Sequence, residues 1–245
     1  MNGKLYVIGI GPGDPELLTL KAVRILQRVP TLCVPKGREE GASLALSIVN
    51  QAINLEGIDI IEAHFPMRKT RGTGNNNELK EKWSATVEAI ASRIEQGTDV
   101  AFITLGDPAI HSTYFYLHEM LLERMPELPI EFVPGISSVT ATAARAGMSL
   151  GLGDEKIAIL PATYSGDIRA VLAEFDTVVL MKVHSVLEKI LPVLTDLQLE
   201  GNCIYVARAG MPDERIIRDI AKMTDNDLNY FSILIIKTRR PHERS

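Results

Sequence analysis

A glycine-rich turn near the N-terminus constrains the fold of this chain more than any other stretch. Residues 5–15 read Leu-Tyr-Val-Ile-Gly-Ile-Gly-Pro-Gly-Asp-Pro. The apolar run at 5–8 predicts a buried strand, and the apolar residues at 20, 23, 25 and 26 predict a helix with Thr19 as its N-cap. A strand, a glycine turn and a helix in this order are typical of the opening of an α/β ligand-binding fold.

Two residues of this turn argue against a dinucleotide site. Asp14 occupies the place of the third glycine of the dinucleotide fingerprint, where its carboxylate would repel a pyrophosphate. Pro12 lacks the N–H that a phosphate cradle would use. The turn therefore predicts a ligand without phosphates, one that could carry positive charge, and it disfavours a dehydrogenase.

The pattern of apolar runs changes near residue 134, which divides the chain into 1–134 and 135–245, and it predicts an α/β domain for the first part. In the first, strands alternate with helices, one of them predicted over 111–123, which favours a mostly parallel sheet. Three strands end in glycine turns, at 9–13, 106–108 and 134–135, and ligands of such sheets bind at that edge. In the second domain several connections are too short for helical crossovers, which predicts a mixed sheet; 216–220 could be strand or helix.

Composition narrows the class of protein. The 245 residues are 46% hydrophobic, the net charge is −5 and the isoelectric point is about 5.6, which suits packed domains and disfavours a general nucleic-acid binder. Cys33 and Cys203 lie in apolar runs, as buried reduced thiols would. No signal-type segment or long apolar stretch is present, so we expect a soluble cytoplasmic protein without membrane contact.

Three motifs in order identify a family resemblance. Gly9-Ile-Gly-Pro-Gly-Asp-Pro15 with Leu17-Leu-Thr-Leu-Lys-Ala22 resembles the opening of the tetrapyrrole methylases, which use S-adenosylmethionine. Leu105-Gly-Asp-Pro-Ala109 and Val133-Pro-Gly-Ile-Ser-Ser138 resemble the second and third loops of that family. The resemblance runs from about residue 4 to about residue 237. It implies two α/β domains with the cofactor and the active site in the cleft between them, and a homodimer.

Shorter motifs resemble one branch of the family. Val34-Pro-Lys-Gly37 with Ser43-Leu-Ala45, and Phe65-Pro-Met67, are similar to the precorrin-2 C20-methyltransferases of cobalamin biosynthesis. The branch implies methylation of a reduced tetrapyrrole with eight carboxylates, with or without cobalt. Alternatives within the fold are another tetrapyrrole position, a diphthamide-pathway protein, rRNA, or a non-catalytic S-adenosylmethionine sensor.

The resemblance also implies cofactor contacts, residue by residue. Leucine replaces the first glycine of the family's usual Gly-Gly-Asp, and two serines stand where relatives often have Thr-Ala. The implied contacts are Pro12, Leu105, Gly106, Asp107, Ile110, Ser137, Ser138, Met181 and Ala209.

The catalytic assignment is open, because methyl transfer needs mainly in-line positioning and a base for one proton. The acidic residue that relatives carry after the second strand falls near Pro35 and Lys36 here, so that role does not carry over. Asp14 is the candidate that orients substrate, and the alternative is that it caps the next helix or tightens the turn. His111 and Tyr114 are further candidates. The histidines form no short-spaced cluster, so we predict no metal site.

A polyanionic substrate requires a basic surface on this acidic protein. The residues 68–77 could form a lid that meets the substrate or a solvated excursion. The candidate substrate contacts are Lys36, Arg38, Arg68, Lys69, Arg71, Lys182 and His184.

Overall fold

The computed structural model describes residues 2–37, 43–65, 76–164 and 166–238, without the side chains of residues 76 and 77. The chain divides into two compact units, 1–137 and 138–245. Each unit is built on one five-stranded sheet.

The sheet of the N-terminal unit is entirely parallel, in the order β3-β2-β4-β1-β5. Its strands are β1 Leu5–Gly9, β2 Thr31–Lys36, β3 Asp59–His64, β4 Val100–Thr104 and β5 Ile130–Val133. The helices of this unit are α1 Leu20–Leu26, α2 Leu44–Ala52, α3 Asn76–Glu95 and α4 Phe115–Arg124. The order confirms the predicted parallel α/β sheet.

Side-chain alternation along the strands builds a core on each face of this sheet. Leu5 and Val7 of β1 pack in one cluster with buried residues of α3 and α4, such as Ile90 and Leu117. Their neighbours in β1, including Ile8, pack in a second cluster with α1 and α2. A strand that is buried on both faces reads as a continuous apolar run, which is why β1 and β4 could be predicted.

Helix ends follow the expected chemistry, with one exception. Thr19 caps α1, since its hydroxyl accepts from the Ala22 N–H at 3.2 Å. The predicted start of α4 at residue 111 is wrong: His111 has a φ of +53°, which no right-handed helix allows, and the helix begins at Phe115.

The sheet of the C-terminal unit is mixed, in the order β6-β7-β10-β8-β9. Among the strands that the structure describes here, β6 and β7 pair in parallel and the other pairs are antiparallel. The strands are β6 Ile157–Pro161, β7 Thr177–Met181, β8 Cys203–Ala207, β9 Arg215–Ile217 and β10 Ser232–Lys237; the helices are α5 Ser138–Ala146, α6 Ile168–Glu174 and α7 Leu187–Asp196. The undecided segment 216–220 finishes strand β9 and then enters a short 3₁₀ turn.

Within the described ranges, the structure contains no helix long and apolar enough to cross a lipid bilayer.

A buried tyrosine anchors a loop of the C-terminal unit. Tyr205 of β8 is fully buried; its hydroxyl donates to Asp227 O at 2.8 Å and accepts from the Asn229 N–H at 3.2 Å. Tyr205→Phe leaves both backbone groups without this partner, so we expect the free energy of unfolding to fall by about 1–3 kcal/mol. Chemical denaturation measures it, with the exposed Tyr164→Phe as the control. A loss no larger than that of the control would contradict this reading.

Candidate active site

The three glycine turns of the N-terminal unit meet at the carboxyl ends of β1, β4 and β5. Because β1 lies between the other two strands, its turn contacts both. A Cβ atom at Gly9 would lie 2.6 Å from Gly106 O and 2.7 Å from Gly135 N, and one at Gly135 would lie 2.4 Å from Gly106 O. These distances are too short for a side chain, so the backbones can approach only because Gly9 and Gly135 have none.

The first and second loops are also joined by hydrogen bonds. Gly106 N–H donates to Gly11 O at 2.8 Å, and Gly11 N–H donates to Gly106 O at 3.3 Å. Both glycines have a positive φ, which is +77° for Gly11 and +73° for Gly106. This conformation costs other residues about 1–2 kcal/mol, so glycine spacing at the ends of β1 and β4 fixes the geometry of both loops.

Asp107 joins the second loop to the third. Its Oδ2 accepts from the Gly135 N–H at 2.9 Å, and its Oδ1 accepts from the Ala109 N–H at 2.8 Å. Hydrogen bonds to a carboxylate are stronger than those between neutral groups. Asp107 therefore holds two backbone segments in place with its own charge.

Asp14 caps the short 3₁₀ turn Pro15–Leu17, since its Oδ1 accepts from the Glu16 N–H at 2.9 Å. Asp14 therefore has the capping role that the sequence offered as the alternative to contact with substrate. Its side chain is only partly buried, whereas Pro12 in the same loop is buried. A role of Asp14 toward substrate stays a prediction.

Of the two further candidates that follow the second loop, only His111 is exposed. Tyr114 is fully buried, and its hydroxyl lies 3.0 Å from His118 Nδ1. Burial raises the pKa of the Tyr114 phenol. Tyr114 is a core residue that packs edge-on against Phe102, which makes it unsuitable as a proton carrier.

In the C-terminal unit, two predicted cofactor contacts lie at one edge of the sheet. Met181 ends β7 and Ala209 follows β8, and both are buried. The strand between them, β10, starts at this edge, because Ile233 pairs with Met181 and Ser232 pairs with Ala207.

The chain leaves β7 and β8 through two left-handed residues. Lys182 has a φ of +59° and Arg208 a φ of +54°. Lys182 N–H donates to Ser232 O at 2.8 Å, and Arg208 N–H donates to Phe231 O at 2.7 Å. These bonds tie both strand ends to the start of β10.

Sequence reasoning missed Tyr230, which precedes this start. The Lys182 Nζ lies 5.6 Å from the centroid of the Tyr230 ring, and the His184 ring lies 5.5 Å from it. Two predicted substrate contacts thus share one aromatic neighbour. Nothing in the sequence around Tyr230 pointed to this, because the contact depends on the register of β10 with β7.

The other predicted contacts differ in burial and in their present partners. Lys36 ends β2, and its Nζ already pairs with Glu62 Oε2 at 2.9 Å. Leu105 and Ile110 are partly buried, Ser137 is buried, and Ser138 begins α5. Four predicted substrate contacts lie outside the described residues: Arg38, Arg68, Lys69 and Arg71.

The two cysteines lie in hydrophobic cores, Cys33 in the N-terminal unit and Cys203 in the C-terminal unit. Both cysteines are free, and burial raises the pKa of the Cys33 thiol above its usual range. Burial also raises the pKa of the Cys203 thiol, to about 12, so both thiols are protonated at neutral pH. Among the described residues, no group of three or more His, Cys, Asp or Glu side chains is placed to hold a metal ion.

Comparison with known proteins gives one consistent family. The profile of the Tetrapyrrole (Corrin/Porphyrin) Methylases matches residues 4–223. The cobalt-precorrin-2 C(20)-methyltransferase of Salmonella typhimurium is 36% identical, over 96% of this chain and 97% of the relative. The probable cobalt-precorrin-2 C(20)-methyltransferase of Methanocaldococcus jannaschii is 35% identical, over 96% of both chains.

Solved structures show the same fold at lower identity. A cobalt precorrin-4 methyltransferase superposes with a TM-score of 0.69 at 23% identity, covering 96% of this chain and 94% of the other. The uroporphyrin-III C-methyltransferase of Thermus thermophilus, solved with S-adenosyl homocysteine, gives a TM-score of 0.66 at 21% identity, covering 96% and 97%.

The contact between the three loops can be tested at Gly9. A methyl group in Gly9→Ala meets backbone atoms of the second and third loops, which cannot turn away as a side chain could. We expect a loss of about 3 kcal/mol in the free energy of unfolding, measured by urea denaturation. Gly201→Ala is the matched control, because its added methyl has no atom within 4 Å. Equal stability of the two variants would show that the loops do not approach so closely.

Proposed function

Because the chain belongs to the tetrapyrrole (corrin/porphyrin) methylases, we propose that it is an S-adenosylmethionine-dependent C-methyltransferase of cobalamin biosynthesis. Its substrate is precorrin-2 or cobalt-precorrin-2, and the methyl group goes to C20. The observation that carries the proposal is the likeness, over nearly the whole of both chains, to relatives with this name. The motifs around Lys36 and Phe65 support the same branch.

The chemistry of the first loop suits S-adenosylmethionine, which is cationic at sulfur and has no phosphate. The loop presents the partly exposed carboxylate of Asp14 and, at Pro12, a position without an N–H donor. A phosphate site would require the opposite arrangement. The residues that would hold this molecule are Pro12, Leu105, Gly106, Asp107, Ile110, Ser137, Ser138, Met181 and Ala209.

Bound S-adenosylmethionine supplies a methyl group whose leaving group is a neutral thioether. The protein then has to keep the acceptor carbon in line with that methyl, because misplacement by about 1 Å can cost 100-fold in rate. The mutual hydrogen bonds of Gly11 and Gly106 and the two bonds to Asp107 give the loops the rigidity that this positioning needs.

After methylation, the acceptor carbon must release a proton. Asp14 is our candidate for the group that orients the substrate and receives or guides this proton. Its Oδ1 is held by the Glu16 N–H, which fixes the direction of the carboxylate. Lys36, Arg38, Arg68, Lys69, Arg71, Lys182 and His184 are the proposed contacts for the carboxylates of the substrate.

We extend the proposal to a homodimer that works in the cytoplasm. The dimer follows from the resemblance to the family. A reducing compartment agrees with two cysteines that are both unpaired and buried.

Incubation under anaerobic conditions with methyl-labelled S-adenosylmethionine tests the reaction. We expect one labelled methyl at C20 of cobalt-precorrin-2 or of metal-free precorrin-2, located by mass spectrometry and nuclear magnetic resonance. The faster substrate identifies the branch of the pathway. Binding of S-adenosylmethionine without transfer to either ring would refute the substrate assignment, and protein and rRNA acceptors would then be compared.

Removal of the Asp107 carboxylate tests its role in holding the loops. Asp107→Ala frees the Ala109 and Gly135 N–H groups, so we expect the Kd for S-adenosyl homocysteine to rise roughly tenfold, the size of one charge-assisted hydrogen bond. Isothermal titration calorimetry measures it. Asp154→Ala, at an exposed position, is the control. An unchanged Kd for Asp107→Ala would show that the Asp107 carboxylate does not contribute to binding of S-adenosyl homocysteine.

A further inference from the structure

Lys182, His184 and Tyr230 form a compact group, the Tyr230 cluster, at the edge where β7 ends and β10 begins. Both basic side chains lie against the same ring, with the Lys182 Nζ 5.6 Å and the His184 ring 5.5 Å from its centroid. Phe231 packs edge-on against that ring at 5.1 Å and supports it. The cluster directly follows Met181, a proposed contact for S-adenosylmethionine.

The backbone of Lys182 is held in a conformation that favours glycine. Its φ and ψ are +59° and +40°, and its N–H is fixed to Ser232 O at 2.8 Å. A lysine pays a steric penalty here that a glycine would avoid. Within the part of the chain that the structure describes, the ammonium group has no carboxylate partner that would compensate for this. In this conformation Lys182 is exposed and its ammonium lies beside Tyr230.

His184 adds a directed donor to this cation. Its Nδ1 is buried and has no hydrogen-bond partner in the described ranges of the chain. A proton on Nδ1 would lack an acceptor, so the proton of the neutral ring belongs on Nε2. His184 then offers a single N–H donor, and contact with Tyr230 limits the positions that the imidazole can take.

We propose that the Tyr230 cluster binds one carboxylate of the tetrapyrrole, an acetate or propionate arm, with Lys182 supplying the charge, His184 one donor and Tyr230 the surface that positions both. One cation with one neutral donor suits a monoanion such as a carboxylate. The face of the Tyr230 ring attracts the Lys182 ammonium and so limits the positions that it takes. This assignment rests on the proposed function and adds Tyr230 as a residue that determines how the substrate is oriented.

Lys182→Gly separates a binding role from a structural one. Glycine removes the charge and also relieves the left-handed backbone, so the melting temperature should stay equal or rise. We expect the KM for the tetrapyrrole to rise roughly tenfold, while kcat and the Kd for S-adenosyl homocysteine stay within about twofold. Lys182→Arg should retain most of the affinity. Lys189→Gln, which removes one exposed positive charge elsewhere in the same unit, should leave the KM unchanged.

Tyr230 is tested in the same way. Tyr230→Leu removes the ring and should raise the KM for the tetrapyrrole severalfold more than Tyr230→Phe, which keeps the ring. An absorbance titration with uroporphyrin III, a stable octacarboxylate, provides a readout without turnover, and its Kd should follow the same order.

Two results overturn different claims. If the parent protein methylates the tetrapyrrole but Lys182→Gly has the parent's KM and uroporphyrin Kd, the Tyr230 cluster is not a carboxylate site and the proposed function stands. If the parent neither methylates nor binds any tetrapyrrole, the proposed function fails and the cluster has no such ligand.

Discussion

The close approach of three backbone segments, at Gly9, Gly106 and Gly135, is the constraint on which the N-terminal unit depends. A Cβ atom at Gly9 or at Gly135 would collide with Gly106 O and with backbone atoms of the other residue. Strand order then follows, since β1 must lie between β4 and β5 for its turn to contact both of the others. The mutual hydrogen bonds of Gly11 and Gly106 and the carboxylate of Asp107 convert this proximity into a fixed surface at the carboxyl edge of the sheet.

In the C-terminal unit, antiparallel strand pairing brings the proposed ligand contacts together. Its sheet is mixed, so β7 and β8 end where β10 starts, and the antiparallel register places Met181 and Ala207 beside the same short stretch. Lys182 and Arg208 leave those strands in left-handed conformations that N–H bonds to Ser232 O and Phe231 O stabilise. In both units, residues with a positive φ lie at strand ends that bear proposed ligand contacts: Gly11 and Gly106 in the first, Lys182 and Arg208 in the second.

The glycine turns and continuous apolar strands were predictable from sequence, because each depends on local sterics or on burial of both faces. Thr19 as an N-cap was equally local. The start of α4 could not be predicted. His111 has a left-handed backbone within an otherwise helical pattern, and its residue type does not indicate this conformation. Asp107 was predicted as a ligand contact, yet its two hydrogen bonds to the loops arise from tertiary proximity. Tyr230 was missed because only the pairing of β10 with β7 brings it to Lys182.

We propose that the joined glycine loops form a preorganised surface for S-adenosylmethionine. A crystal structure of this chain with S-adenosyl homocysteine would show where the ligand binds. We expect the ligand to lie against residues 9–13 and 105–110, while the hydrogen bonds between Gly11 and Gly106, and from Gly135 to Asp107, keep their present geometry. A ligand bound away from these loops, or loops that exchange these hydrogen bonds for others on binding, would contradict it.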